Sequence, residues 1–358
     1  AQLNNPTGLA YSGGVLYICD TANHSIRALA SDGTISTYLG NGYSAYRGNG
    51  GPGTAAQVSR PSDIVFDGSG NIYIADTGNG VIREITKSDG YINTIAGGGS
   101  DNPGDGEAAT SVALVEPSAI AVDSSGNLYI AEPSVARIRQ VTSKAIISTF
   151  AGTANSEGFA GDGSTATKAL LWFPSGLATD SGGALLIADQ LNNRIRKVTS
   201  GNINTIAGTG ALSLSGSTAS AIQLSRPAGV ATDVAGDLFV ADYGNQRVLK
   251  VAADGAVSTL AGNGTAGFGG DGGAGGGAQL NGPSGVAVDA KSNVYFADVL
   301  NNRVRAVDAT GVIRTFAGSG SAGFGGDGGA ATSAALYFPH SVTTGAAGNS
   351  YIDDYENA

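Results

Sequence analysis

One sequence pattern recurs along this chain of 358 residues at a nearly constant spacing. Each repeat opens at a proline, and successive prolines are 53 to 57 residues apart. The repeats begin near Pro6, Pro61, Pro117, Pro174, Pro227, Pro283 and Pro339. Self-similarity at a fixed period is typical of folds that stack one structural unit many times. We therefore expect residues 1–358 to form a single domain.

Each repeat contains four short apolar segments separated by turn residues. In the fourth repeat these segments lie at 175–180, 185–189, 194–198 and 203–207. Short apolar or alternating runs bounded by turn residues predict an antiparallel four-stranded meander. Such a meander repeated along a chain is typical of an all-β propeller. The seventh repeat contains only the first two segments, so we predict six complete four-stranded blades and an incomplete seventh.

The third segment and its preceding turn carry a more specific signal. Residues 23–27, 192–196 and 301–305 read Asn-x-x-apolar-Arg, and residues 73–76 read Tyr-Ile-Ala-Asp. In these residues the chain resembles the NHL-repeat β-propeller family, and the resemblance covers nearly the whole chain. It implies a propeller fold. It implies little about function, because the family's fold serves enzymes, RNA binders and interaction platforms.

Composition excludes several classes of protein. Acidic residues outnumber basic ones 29 to 19, whereas a nucleic-acid binder needs a basic face. The apolar runs are shorter than the roughly 18 residues that cross a membrane. Cys19 is the single cysteine and occupies a position that holds alanine in other repeats, which predicts a packed, inert thiol. The acidic, Gly-rich composition and the first residue, Ala1 rather than Met, favour a processed, secreted or cell-surface protein.

An acid and an arginine recur seven positions apart. The acids are Asp20, Asp76, Glu132, Asp189, Asp242, Asp298 and Asp354. The arginines are Arg27, Arg83, Arg139, Arg196 and Arg305, and the fifth repeat has Leu249 at this position. Because the pattern recurs in nearly every repeat, we interpret it as a structural ion pair rather than a charged binding ring.

The links between repeats carry a second motif, an Asx residue followed by glycine. Its acidic members are Asp105, Asp162, Asp271 and Asp327, and Asn49 takes the same position in the first link. One interpretation is a set of calcium loops, although calcium requires six to eight oxygen ligands and each link offers one carboxylate. The preferred interpretation is a tight turn in which the Asx residue caps a short helical turn. We expect no other cofactor.

Two sequons mark candidate glycosylation sites at Asn23 and Asn263.

The sequence offers two candidate catalytic residues. The family resemblance implies that an enzyme of this fold would place its catalytic side chains at the start of the innermost strands, beside the central channel. In this sequence those are the positions that follow each repeat proline. Here those positions hold mostly Ser, Thr, Gly and Ala, with only Asp63 and His340 able to transfer protons. With two histidines in the chain, a three-histidine zinc site cannot form.

The incomplete seventh repeat has three explanations: a longer array, a ring with a half blade, or a half blade that completes a neighbouring molecule. Asp353 occupies the alanine position there, which predicts an exposed or differently packed seventh unit.

Together these patterns predict a non-catalytic extracellular scaffold that presents loop faces to a protein or glycan partner. A self-assembling filament subunit and a channel-based hydrolase or lyase are the alternatives.

Overall fold

The computed structural model describes residues 3–32, 34–180, 182–210, 222–326, 328–344 and 350–356. Within these residues the regular secondary structure consists of short β-strands and three-residue 3-10 turns. None of these turns is long and apolar enough to cross a membrane.

The strands recur in the same order in each repeat. The first three repeats form β1 (Pro6–Ser12), β2 (Val15–Asp20), β3 (Ser25–Leu29), β4 (Ile35–Leu39), β5 (Gly51–Pro52), β6 (Pro61–Phe66), β7 (Ile72–Asp76), β8 (Val81–Ile85), β9 (Tyr91–Gly97), β10 (Glu107–Ala108), β11 (Ile120–Val122), β12 (Leu128–Glu132), β13 (Arg137–Val141) and β14 (Ile146–Ala151). The remaining repeats form β15 (Ser164–Thr165), β16 (Pro174–Thr179), β17 (Leu185–Asp189), β18 (Arg194–Thr199), β19 (Asn202–Ala207), β20 (Pro227–Thr232), β21 (Leu238–Asp242), β22 (Arg247–Val251), β23 (Val257–Ala261), β24 (Pro283–Val288), β25 (Val294–Asp298), β26 (Arg303–Val307), β27 (Ile313–Ala317), β28 (Pro339–Thr344) and β29 (Ser350–Asp354).

The 3-10 turns fall into two groups. One group follows the second long strand of a repeat, at Thr21–Asn23, Thr77–Asn79, Pro133–Val135, Gln190–Asn192, Tyr243–Asn245 and Val299–Asn301. The other lies in the links, at Gly53–Ala55, Ala109–Ser111, Ala166–Lys168, Gly275–Gly277 and Ala331–Ser333.

Each repeat folds into its own antiparallel sheet. The first sheet has the order β1-β2-β3-β4, and the fifth and sixth repeats form equivalent four-stranded sheets. In the second, third and fourth repeats, two residues of the preceding link add a fifth strand beside the outermost long strand, as β5 does to β9. The last sheet contains only β28 and β29. The prediction of an all-β propeller built from small antiparallel sheets is confirmed.

A carboxylate organises the hairpin between the first two long strands of a repeat. In the second repeat, Asp67 Oδ1 accepts hydrogen bonds from the amides of Ser69 (2.9 Å) and Asn71 (2.8 Å). Its Oδ2 accepts one from Asn71 Nδ2 at 2.9 Å. Partial burial raises the pKa of Asp67, but these hydrogen bonds outweigh it and leave the pKa below its ordinary value. The short polar turn is therefore fixed by a side chain that satisfies its backbone donors.

By backbone proximity the chain divides into two compact units. The first comprises Ala1–Leu185 and Val198–Asn204, and the second comprises Leu186–Lys197 and Thr205–Ala358. In the first unit the opening strands β1, β6, β11 and β16 lie side by side, and in the second so do β20, β24 and β28. The single domain over 1–358 stays a prediction.

Neighbouring opening strands approach so closely that small residues are needed. A Cβ atom built on Gly8 would lie 2.7 Å from Asp63 Cα, and one built on Gly285 would lie 2.7 Å from Ser341 Cα. Real Cβ atoms do not tolerate such contacts. At Gly8 and Gly285, which stand two positions after the repeat proline, glycine thus follows from the close packing of neighbouring strands.

The apolar core lies between successive blades rather than within one. Between the first two blades, Cys19 and Ile26 pack with Ile64 and Ile74, and all four are fully or almost fully buried. The Tyr17 ring meets the Phe66 ring of the next blade edge-on at 5.1 Å. The prediction of a packed Cys19 is confirmed. Aromatic rings contribute to the core between these blades.

Asp353 differs from the sequence expectation. It is 1% exposed and occupies the position that holds Cys19 or alanine in other repeats, so the exposed alternative is wrong for this residue. A differently packed seventh unit stays a prediction. Its Oδ1 accepts a hydrogen bond from the amide of His340 at 3.3 Å, and Oδ2 has no partner among the described residues. Burial raises the pKa of Asp353 well above its ordinary value, so the carboxyl group can lower the cost of its burial by taking up a proton.

Candidate functional site

The recurring acid is the hub of a buried hydrogen-bond network. In the second repeat Asp76 accepts hydrogen bonds from the Ser59 amide (2.6 Å) and from Asn79 Nδ2 (2.9 Å), and it pairs with Arg83 at 3.5 Å. In the sixth repeat Asp298 makes the same three contacts. Burial raises the pKa of Asp76 to about 6 against the opposing effect of these partners. Each acid thus ties the residue two positions before the proline to the second and third strands of its blade.

The arginine that pairs with the acid is not always the predicted one. Arg27, Arg83, Arg196 and Arg305 pair with the acid seven positions earlier, as expected. In the third repeat, however, Glu132 pairs with Arg137 at 2.5 Å, whereas Arg139 contacts Asp105. In the fifth repeat Arg247 pairs with Asp242 at 2.8 Å and takes the role that Leu249 cannot fill. Positions five and seven after the acid share one face of a strand, so either arginine reaches it.

The link Asx residues accept hydrogen bonds from arginines of the blade that follows the link. Asp105 Oδ1 accepts hydrogen bonds from Arg139 (3.0 Å) and from the amide and hydroxyl of Thr149 (2.8 and 3.1 Å). Asp271 accepts them from Arg305 (2.5 Å) and the Thr315 hydroxyl (2.6 Å). A link therefore docks on the next blade through a carboxylate, a guanidinium and a threonine.

The helix-capping part of the link interpretation is wrong, and the turn part is confirmed. The 3-10 turns at Ala109–Ser111 and Gly275–Gly277 begin after alanines without a side-chain cap, because Asp105 and Asp271 face arginine instead. The glycines that follow the two acids have φ angles of +87° and +81°, as tight turns require.

The calcium alternative stays a prediction. Within the part of the chain that the structure describes, no three His, Cys, Asp or Glu side chains lie close enough together to hold one metal ion. Asp162 lies in the equivalent link of the fourth repeat, and Asp327 lies outside the described residues.

Hydroxyl groups after the prolines join neighbouring blades. Thr7 Oγ1 donates a hydrogen bond to the Ser62 carbonyl (2.8 Å), and Ser62 Oγ donates one to the Ser118 carbonyl (2.9 Å). Ser284 Oγ donates to the His340 carbonyl at 2.5 Å. Asp63 belongs to the same set, because its two oxygens accept hydrogen bonds from the Ile64 amide (2.8 Å) and from the Ile120 amide of the next blade (2.9 Å).

These contacts bear on the two catalytic candidates. Both carboxylate oxygens of Asp63 are held by backbone amides, and burial raises its pKa to about 6. Asp63 belongs to the first unit and His340 to the second. His340 is exposed, and its ring lies 6.2 Å from the Tyr355 ring. A catalytic role for either residue stays a prediction.

The two sequon asparagines have different surroundings. Asn23 Nδ2 donates hydrogen bonds to both oxygens of the buried Asp20, at 3.0 and 3.1 Å. Asn263 is exposed in a link, and its Nδ2 contacts the Gly277 carbonyl at 3.3 Å. Asn263 is therefore the more accessible candidate acceptor of a glycan.

The residue before each repeat proline is a feature that the sequence analysis missed. Its φ angle is positive in every repeat, although the residue type varies. The position holds Asn5, Arg60, Glu116, Phe173, Arg226, Gly282 and Phe338. A positive φ is uncommon for residues other than glycine, so the surroundings must hold this conformation. In the sequence, this feature corresponds to the residue immediately before the repeat proline, which varies in type while the proline recurs in every repeat.

A side chain from the preceding blade helps to fix this conformation. The amide of Arg60 donates a hydrogen bond to His24 Nδ1 at 3.1 Å. The amides of Arg226, Gly282 and Phe338 donate likewise to the side chains of Asn193 (2.7 Å), Gln246 (2.6 Å) and Asn302 (3.0 Å). In these four repeats the acceptor is the left-handed residue that ends a 3-10 turn. Gly80 and Ala136 take the equivalent position before Glu116 and Phe173 and have no acceptor side chain.

In the first unit these positions form part of an exposed surface. Arg60, Glu116 and Phe173 are exposed and lead into side-by-side strands. Trp172, adjacent to Phe173, is also exposed. Tyr43 is 71% exposed and adjoins Ser44, whose hydroxyl lies 2.8 Å from that of Ser59. We call Tyr43, Arg60, Glu116, Trp172 and Phe173 the entry surface.

Comparison with protein families agrees with this architecture. A model described as the teneurin NHL domain matches residues 97–158 and 264–324, and one described as the NHL repeat matches residues 3–29 and 224–251. The chain belongs to the NHL-repeat β-propeller family. The resemblance of residues 23–27 and their equivalents is thereby confirmed, and the matched regions of this NHL propeller include the Asp105 and Asp271 links.

The relatives of this NHL propeller are longer proteins. Protein SUPPRESSOR OF QUENCHING 1, chloroplastic, from Arabidopsis thaliana is 30% identical over 279 residues, which are 73% of this chain and 26% of the relative. Teneurin-4 from Mus musculus is 32% identical over 222 residues, 55% of this chain and 8% of the relative. The chain thus spans about a quarter or less of these relatives.

Solved structures share the fold. A streptogramin B lyase superposes with a TM-score of 0.66 over 100% of this chain and 92% of its own, at 13% identity. At this identity the likeness shows the propeller fold and says nothing about the reaction.

Proposed function

We propose that this NHL propeller is a non-catalytic protein-binding module whose contact region is the entry surface. The observation that supports the proposal is the pre-proline position. Its backbone conformation is the same in every repeat, while its side chain varies and, in the first unit, faces solvent at Arg60, Glu116 and Phe173. A position with a fixed backbone conformation and a variable, exposed side chain is typical of residues that contact a partner rather than of residues that determine the fold.

The residue types of the entry surface favour a protein partner. Trp, Tyr and Arg are the side chains that most often carry binding energy at protein interfaces. Trp172, Phe173 and Tyr43 offer large apolar area, while Arg60 and Glu116 carry opposite charges. At Arg60, the hydrogen bond from the backbone amide to His24 holds the backbone in place before binding, which lowers the entropy cost of association.

The location that we propose is the cell surface or the secreted fraction. The support is the composition, with one buried cysteine and an acidic net charge of −10. A glycan partner is the alternative ligand, since exposed Trp and Tyr rings also stack on sugars.

A photo-crosslinking experiment tests the proposal. A photoreactive phenylalanine analogue replaces Phe173 in the full chain, or Ser125 as a matched exposed position in the hairpin turn at the far end of a blade. We expect a specific surface or secreted protein to crosslink at position 173 and not at position 125. Binding of that protein, once purified, should weaken at least tenfold in Trp172→Ala or Phe173→Ala and by less than twofold in Ser125→Ala.

Two results would overturn the proposal. Crosslinking at position 125 alone would place the contact at the opposite end of the blades. Binding to a glycan array that is lost in Trp172→Ala, without any protein crosslink, would replace the protein partner by a glycan.

A further inference from the structure

Several asparagines of the chain directly precede a glycine. They are Asn41, Asn49, Asn79, Asn263 and Asn281. An asparagine in this position can lose its side-chain amide without an enzyme, because glycine has no Cβ atom to shield its backbone nitrogen from the asparagine side chain. That nitrogen must also be released from other hydrogen bonds before it attacks. The surroundings of each glycine amide therefore decide which asparagine reacts in the folded chain.

Three of these glycine amides are held by hydrogen bonds to distant or preceding residues. The bonds join Gly50 to the Ile92 carbonyl (2.9 Å), Gly80 to the Thr77 carbonyl (3.1 Å) and Gly282 to the Gln246 side chain (2.6 Å). Attack by one of these nitrogens requires its hydrogen bond to break first, which costs free energy. We therefore expect the three asparagines before them to react slowly.

The surroundings of Asn263 are different. The Gly264 amide makes no hydrogen bond to the described residues, and the neighbouring Asn263 and Thr265 are exposed to water. Asn263 Oδ1 accepts a hydrogen bond from the Thr265 amide at 2.9 Å, and Nδ2 donates one to the Gly277 carbonyl at 3.3 Å. This turn folds the side chain back over the main chain and brings Cγ towards the Gly264 nitrogen.

We propose that Asn263 is a site of spontaneous deamidation. The Gly264 nitrogen attacks Asn263 Cγ, and the new C–N bond closes a cyclic succinimide while the side-chain nitrogen leaves as ammonia with the proton of the Gly264 amide. The Thr265 N–H stabilises the negative charge that develops on Oδ1 during the attack. Water then opens the ring at one of its two carbonyl groups, which gives aspartate or isoaspartate.

Both products change the contact between β23 and the link that follows it. The amides of Gly262 and Asn263 donate to the carbonyls of Gly275 (3.0 Å) and Ala278 (2.8 Å), so this segment joins the end of β23 to the 3-10 turn at Gly275–Gly277. A carboxylate cannot donate to the Gly277 carbonyl as Nδ2 does, and isoaspartate also adds a CH2 group to the main chain. Deamidation should therefore loosen the link.

The nitrogen that leaves is also the one that the sequon offers to a glycan. A sugar attached to Asn263 Nδ2 removes ammonia as the leaving group, and deamidation removes the nitrogen to which a sugar attaches. The two modifications therefore exclude each other at this residue.

Peptide mapping by mass spectrometry tests the proposal on the full chain, made in a host that does not glycosylate it. The chain is incubated at neutral pH, and electron-transfer fragmentation distinguishes isoaspartate from aspartate. We expect Asn263 to react at least tenfold faster than Asn49, Asn79 or Asn281. In urea, which releases the glycine amides, the four rates should differ by less than threefold. Similar rates at the four sites of the folded chain would overturn the proposal.

Two variants separate the main chain from the side chain of the turn. Gly264→Ala should slow the reaction at Asn263 at least tenfold in the folded chain and in urea, so the result does not depend on how well the variant folds. Thr265→Ala removes the sequon but keeps the backbone N–H, and it should leave the rate unchanged. A rate that falls as far in Thr265→Ala as in Gly264→Ala would overturn the role of the backbone donor.

Hydrogen exchange of the incubated chain tests the effect on the link. The Gly262 amide should exchange severalfold faster after deamidation. The control is the Gly318 amide, which donates to the Ala331 carbonyl at 3.0 Å at the equivalent position of the sixth repeat and should not change. Unchanged exchange at Gly262 would overturn the loosening of the link.

Discussion

Removal of Arg247 is expected to destabilise the fifth blade more than removal of Arg303 destabilises the sixth. Asp242 is fully buried and pairs with Arg247, because Leu249 stands where other repeats have an arginine. Arg247→Ala leaves a buried carboxylate without its cation, which costs about 3–5 kcal/mol. Arg303→Ala leaves Arg305 at 3.3 Å from Asp298. It removes the stacking on Phe268 and hydrogen bonds to two carbonyls, about 1–2 kcal/mol in total.

The pH dependence of the two costs distinguishes a lost ion pair from lost packing. Burial already raises the pKa of Asp242, and loss of Arg247 raises it further. A carboxyl group whose pKa is higher in the folded than in the unfolded state stabilises the fold when protonated, and this contribution is lost as pH rises through the folded-state pKa. The cost of Arg247→Ala should therefore be smaller at pH 5 than at pH 7.5. The cost of Arg303→Ala should change little.

Hydrogen exchange is the suitable assay, because it reports the free energy of opening blade by blade. The amides of β22 and β26 are compared in the wild type and both variants. The double variant Arg247→Val with Leu249→Arg recreates the Val81 and Arg83 arrangement of the second repeat and should recover most of the loss. Equal costs for the two single variants, or a cost of Arg247→Ala that does not vary with pH, would refute the ion-pair account.

Three further outcomes follow from buried groups. Asp353→Asn, which keeps an Oδ1 acceptor for the His340 amide and removes the buried charge, should stabilise β28 and β29 by about 1–3 kcal/mol at pH 7.5; slower exchange of their amides would show it. The gain should shrink as pH falls, because the raised pKa lets the wild-type carboxyl group protonate. Asp63→Asn should cost about 1–3 kcal/mol in urea unfolding, because the amide NH2 then faces one of two backbone N–H donors. The Cys19 thiol should react with a thiol reagent only after unfolding, and reaction in the native state would contradict its burial.

The sequence was sufficient for the fold because the repeat supplies the same information several times. Strand positions, the inter-blade core and the pairing of Asp76 with Arg83 all follow from residues that recur in register. Arg137 and Arg247 were missed because only the seven-residue spacing was considered. Arginine also recurs five positions after the acid, at Arg137, Arg194, Arg247 and Arg303, and strand alternation places both spacings on one face.

The role of the link acids was missed for a different reason. Asp105 contacts Arg139, which is 34 residues away, whereas a capping argument considers only the next few residues. The signal was nevertheless present in the sequence. Of the five links with Asx at this position, the four at Asn49, Asp105, Asp162 and Asp271 each precede a blade with arginine 34 residues later, and the link with Ser215 precedes the blade with Leu249. The two positions vary together because one side chain binds the other.

The same comparison between repeats separates residues that the fold requires from residues that the fold merely permits. A left-handed conformation costs a residue other than glycine about 1–2 kcal/mol. Gly282 shows that glycine is compatible with the pre-proline position, yet the six other repeats carry a side chain there. These side chains have neither a common size nor a common charge, so packing within the propeller does not account for them. We therefore infer that Arg60, Glu116 and Phe173 are retained for contacts outside the chain, which is the physical basis for assigning recognition to the entry surface.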